Sequence, residues 1–280
     1  MGSVIQMKDG VAQTLALPFV YALLENKMQP AYEKVFEVVV DLGAGMGTQL
    51  VPHCVMSDFE LGIINAAKGV FGDVVAGCLF HMSNAVYRQI QSGGLQNKYN
   101  DRNDRTIQEA TQMMCALAFV PVTTVRNHFT TFLVQVPADF KIIAQYFDVT
   151  HVRGKPARGR RREVPARYLP SLWNQYDAVI NRLCRTNTHA FEGWHNRFQG
   201  LVGRHHPSLY TFLIEIQKEQ GDVESMLREL ALGQQIRKSR APRWNKIDQR
   251  IRNIVAQYDD YEAEGMILDY LRAIGYHLLF

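Results

Sequence analysis

His53–Gln91 reads HCVMSDFELGIINAAKGVFGDVVAGCLFHMSNAVYRQIQ, and the changes of period inside it decide the fold class. HCVMS is a short apolar run suited to a strand, and Phe59–Phe71 places Ile63, Ala67, Val70 and Phe71 on one helical face. Gly72-Asp73 breaks that helix. Val74–Leu79 then reads as a second strand, and about His81–Gln91 as a second helix that stops at Ser92-Gly93-Gly94. Strand, helix, strand, helix with such tight links predicts parallel strands joined by crossovers. Upstream, Val4–Met7 and Thr14–Leu24 flank Asp9-Gly10, a strong hairpin signal. Pro30–Leu42 follows with a helical stripe and Pro at its start, and Gly43–Gly47 ends it. A hairpin leading into parallel units is a mixed α/β sheet with flanking helices.

Downstream the period becomes helical. Ile107–Phe119, Val122–Val134, Phe140–Phe147 and Trp173–Cys184 read as helices, and RGKPARGRRREVPARYLP (153–170) between the last two reads as a loop. A long helix is expected from Pro207 to about Gln235. Trp244, Ile247, Ile251, Ile254, Val255 and Tyr258 then form an amphipathic stripe, and a last helix runs through Ile267, Leu271 and Ile274. The expected division is a core over residues 1–94, an all-helical insertion with a basic loop over 95–180, and a further core helix with C-terminal helices over 181–280.

The whole-chain balance is ordinary, at 47% hydrophobic, 21% charged and a net charge of +4. Its distribution is not. Arg153–Arg167 holds seven basic residues and one acid, and so does Arg237–Arg252. These two windows contain fourteen of the 31 basic residues and two of the 27 acidic ones, so the rest of the chain is net acidic. Positive charge gathered in short stretches suits contact with a polyanion, although solvated loops share that composition. No run of 18 apolar residues occurs, so no membrane span is expected. Four cysteines at 54, 78, 115 and 184 do not resemble a secreted disulfide framework.

Three places could carry chemistry. Asp58 ends the HCVMS strand, where a carboxylate either caps the next helix or points into the crevice at the strands' carboxyl ends. Glu60 reads as a first-turn acid favoured by the helix dipole. Cys78 and His81 end the second strand with the spacing of half a zinc site. No second pair follows, so zinc is not expected, and a buried cysteine with a histidine fixing the strand-helix turn accounts for them. Thr186–Asn196, TNTHAFEGWHN, places Glu192 in the first turn of a helix, with Trp194 and Phe198 as core residues.

In order, LPFVYALLENK, MSDFELGIINA, GCLFHMSNAVYRQIQ, LAFVPVTTV, RTNTHAFEGWHNRF and HPSLYTFLIEIQKEQ resemble the Mutator-like element (MULE) transposases, from about Leu15 onward. The resemblance implies an RNase H-like fold with a helical domain inserted before the last catalytic acid. It implies Asp58 as the second and Glu192 as the third acid of an Asp-Asp-Glu triad, both holding Mg²⁺ or Mn²⁺, and Cys78 and His81 as the family's Cys-x-x-His signature. It implies DNA as partner, a nuclear location and Mg²⁺-dependent strand cleavage and transfer. Arg158, Arg160, Arg161 and Arg162 are the expected phosphate contacts. The family's first acid sits on an opening strand ahead of the hairpin, and Asp9 reads instead as a turn residue. The chain is therefore expected to be catalytically incomplete, with its second strand's edge open to self-association. The alternative is an exapted nucleic-acid-binding or interaction protein. Another type of RNase H-like nuclease fits the Cys-x-x-His and FEGWHN pieces less well.

Overall fold

In the computed structural model, the described residues are 2–8, 11–159, 162–181, 197–200, 202–203, 208–234 and 242–278, with backbone alone for 2–16 and 242–245. Two strands, β1 (Gly2–Lys8) and β2 (Val11–Leu17), pair antiparallel in a register that brings Lys8 opposite Val11. The expected Asp9-Gly10 turn lies outside the described residues. The second strand is shorter than Thr14–Leu24, because Pro18 follows Leu17 and proline has no N–H for a ladder.

Helix α1 (Gln29–Gly45) carries Pro30 in its first turn. It packs on α2 (Leu61–Phe71), where Phe36 meets Phe71 edge to face with centroids 5.4 Å apart. Strands β3 (Val55–Ser57) and β4 (Val75–Gly77) flank α2 and pair parallel, with Ser57 opposite Gly77. The ladder runs on for one step, since the Cys78 amide donates to the Ser57 carbonyl at 2.9 Å. Helix α3 (Leu79–Ser92) then buries Leu79, Met82, Ser83, Val86 and Ile90, a single helical face.

Fold class is therefore α/β, with helices dominating. Among the described residues the hairpin and the parallel pair are two separate two-stranded sheets, where the sequence predicts one mixed sheet. Strands of three residues offer few ladder bonds, and burial of the adjoining helices holds them in place.

Beyond α3 come α4 (Gln96–Tyr99), α5 (Thr106–Ala116) and α6 (Val125–Gln135), then α7 (Lys141–Phe147), which runs into a π-helical turn at Asp148–Val152. Over its described part, the predicted helix Trp173–Cys184 is instead α8 (Pro170–Trp173) and α9 (Tyr176–Ile180). Asn174 interrupts it by accepting the Tyr176 amide on its side chain at 2.9 Å. Next are α10 (Leu209–Ala231), capped by Ser208, α11 (Pro242–Val255), α12 (Tyr258–Ala263) and α13 (Ile267–His277). The C-terminal helices lie on the middle of the chain: α13 packs along α5, and α11 packs on α9 and α13. Tyr270 Oη donates to the Phe119 carbonyl, and Tyr258 Oη bonds His128 Nε2 at 2.7 Å and Glu262 at 2.8 Å. Buried side chains from Ile64 to Leu278 make one contiguous core.

Candidate functional site

The parallel pair sets the geometry. Asp58 follows Ser57 and Cys78 follows Gly77, so the two emerge side by side at the strands' carboxyl edge, a strand spacing of about 4.8 Å apart in the ladder. Asp58 is exposed. It does not cap α2, whose N-cap is Glu60 with no side-chain cap bond. Among the described residues no hydrogen bond or ion pair engages the Asp58 carboxylate. Glu60 is engaged: it accepts from Tyr32 Oη at 2.7 Å and pairs with Lys27 at 3.5 Å. Burial, then the bond to Glu60 and the nearby Glu60 and Asp58 charges, push the Tyr32 hydroxyl up to about 12.

Cys78 is buried at the start of α3, and His81 is exposed one turn on, with its ring against Phe80. Their different burial is what a cap residue and a first-turn residue of one helix have when the helix lays a single face on the core.

A second structure stands against this edge. The π-helical turn ends at Arg153, whose guanidinium donates twice to the Asp148 carboxylate at 2.7 Å and lies over the Phe129 ring. The chain then leaves as the basic loop and returns at Tyr168. Lys155 and Val164 bridge the loop's two arms, and Gly154, at φ +90°, sits where a Cβ would be 2.2 Å from the Val164 carbonyl oxygen. Only glycine fits there. The returning Tyr168 amide donates to the Thr150 carbonyl at 2.9 Å. Its hydroxyl donates to the carbonyl of Phe59, the residue after Asp58, at 2.6 Å.

The rings complete the junction. Phe59 meets Tyr168 at 4.9 Å and His151 at 5.6 Å, both edge to face. His151 stacks between Phe147 and Tyr168, and Trp173 Nε1 donates to the carbonyls of His151 and Tyr168. Gly77 leaves room for Phe59, since a Cβ there would stand 2.7 Å from its ring. Burial raises the Tyr168 hydroxyl's pKa, Arg167 opposes, and the charges of Asp58 and Glu60 add to the rise.

Arg158 and Arg162 are exposed on this loop, while Arg160 and Arg161 lie outside the described residues. Glu192 also lies outside them, with Cys184, His189, Trp194 and His195. Phe198 is buried and meets Phe212 edge to face. Among the described residues no three His, Cys, Asp or Glu side chains converge as metal ligands. Asp58 on its own has the chemistry for a hard divalent cation, being an exposed oxygen donor that no cation among the described residues pairs with.

Residues 8–85 match the model of the MULE transposase domain. Over this stretch the chain is similar to that domain. The MULE segment runs from the hairpin into α3 and contains Asp58, Cys78 and His81, while the basic loop and Glu192 lie beyond it. No curated protein and no solved structure matches the chain at a significant level. Sequence reasoning did not find Phe59, Tyr168 and His151. Their only trace is an aromatic at each end of a basic loop, and no periodicity relates a loop tyrosine to a strand end 109 residues away.

Proposed function

We propose that the chain is a DNA-processing domain of the Mutator-like kind, with an RNase H-like core, acting on nuclear DNA. One observation carries this reading: within the MULE segment, Asp58 is an exposed carboxylate, unengaged by any described residue, at the carboxyl edge of a parallel pair. In this reading Asp58 and Glu192 hold Mg²⁺ or Mn²⁺, and Arg158, Arg160, Arg161 and Arg162 contact phosphates. Bound there, divalent ions would supply activation of an attacking oxygen and stabilisation of the leaving one. The chain's own contribution is to place the carboxylates and to hold the backbone, a sequence-independent and salt-sensitive attraction.

Duplex DNA binding followed by fluorescence anisotropy at stepwise salt, with Mn²⁺ titrated by electron paramagnetic resonance, tests it. Asp58→Ala is expected to weaken Mn²⁺ binding at least tenfold while leaving DNA affinity within about twofold, because the side chain is exposed and no described residue pairs with it. A wild-type protein that fails to bind DNA sinks the reading, and so does Mn²⁺ binding that is indifferent to Asp58. DNA binding with no Mn²⁺ binding at all would favour the exapted binding protein.

A further inference from the structure

Among the described residues, a hydrogen bond set in a cluster of rings joins the end of the basic loop to the Asp58 edge. The loop's outgoing arm is fixed by the doubled Arg153–Asp148 pair and its incoming arm by the Tyr168 amide on Thr150. The Lys155–Val164 bridge closes the arms together. What orients the closed loop toward the edge is the Tyr168 hydroxyl on the Phe59 carbonyl, one peptide from Asp58. Phe59 is packed by Tyr168 and His151, and Gly77 beneath it leaves no spare volume. A ring held this way does not swing without moving the backbone of Asp58.

We propose that Tyr168 is a positioning residue that latches the basic loop to the backbone beside Asp58, so that phosphates held by Arg158 and Arg162 arrive in fixed register with that carboxylate. This rests on the DNA-processing reading and adds to it a mechanical link between the two charged features. Loop charges alone would attract a duplex in any orientation; the latch selects one. The hydroxyl carries no charge at neutral pH, so its effect on binding comes through where the arginines are held.

Tyr168→Phe keeps the ring and deletes only the latch bond. A double-mutant cycle of DNA affinity, with Arg158→Ala/Arg162→Ala as the second arm, separates positioning from general damage. Tyr168→Phe is expected to weaken duplex binding about fivefold, the worth of one hydrogen bond, with the salt slope of the wild type. In the background lacking both arginines it is expected to change affinity less than about twofold. Thermal unfolding of each variant is run alongside, and a Tyr168→Phe protein as stable as the wild type that has still lost affinity supports the latch. Equal losses in both backgrounds, or no loss in either, overturn it while leaving the DNA-binding reading intact. Absence of DNA binding by the wild type removes both.

Discussion

His151 is 1% exposed, and among the described residues neither ring nitrogen has a hydrogen-bond partner. Burial lowers its pKa from the ordinary 6.5 to about 3. Between those values the unfolded chain binds a proton that the folded one refuses. Its contribution to stability is thus complete above about pH 6.5 and drains away as pH falls toward 3. At pH 5 the loss is about 2 kcal/mol. His128 and His277 are lowered by burial too, with Glu262 opposing for His128 and Arg250 adding for His277, so some acid sensitivity belongs to them. His151→Phe removes two unsatisfied nitrogens and keeps a ring in the stack. Urea denaturation at pH 7 and pH 5 should show the gap between the two shrinking by about 2 kcal/mol in the variant. An unchanged gap would mean that His151 is protonated in the folded protein.

At the scale of elements, what sequence made legible followed periodicity. The β3-α2-β4-α3 order was predictable because Gly72 breaks α2 and the face through Ala67 and Phe71 repeats at helical spacing. The α11 stripe was equally plain, and Ile251, Val255 and Tyr258 are buried as expected. The latch was not legible, since its partners are set by tertiary contact across the chain. Nor was the packing of α13 on α5, because an amphipathic pattern says that a helix buries a face without saying against what. Glycine marks that contact. A Cβ on Gly275 would stand 3.0 Å from the Gln112 backbone carbonyl carbon, whereas one on Gly221 in α10 would meet nothing within 4 Å. Alanine improves helix propensity by about 1 kcal/mol at either position. At Gly275 the clash with backbone on a packed helix costs about 1–3 kcal/mol and outweighs it. Gly275→Ala should therefore lower the thermal midpoint and Gly221→Ala should raise it. The same sign at both sites would contradict the close α5–α13 approach.

For the molecule as a whole, the C-terminal helices decide whether the middle of the chain can stand alone. The sequence changes character near residues 94 and 180, yet burial crosses both places. Among the described residues, eight buried apolar side chains lie beyond residue 241, namely Ile251, Val255, Tyr258, Ile267, Tyr270, Leu271, Ile274 and Leu278. At about 1.5–3 kcal/mol for each fully buried side chain, their removal forfeits about 12–24 kcal/mol, as much as or more than the roughly 5–15 kcal/mol by which a domain is ordinarily stable. It also strips partners from Phe119, whose carbonyl accepts from Tyr270, and from His128, which bonds Tyr258. A chain ending at Ala241 should thus lose cooperative unfolding in α5, α6 and α7, which carry the π-helical turn and the basic loop behind it. Hydrogen exchange is the measurement to make, peptide by peptide. Protection over Thr106–Phe147 is expected to fall to the level of an unfolded chain, and the DNA affinity proposed for the loop should fall with it. Full protection over the same peptides in the shortened chain would show that the middle helices hold a core of their own, and that α13 merely rests on it.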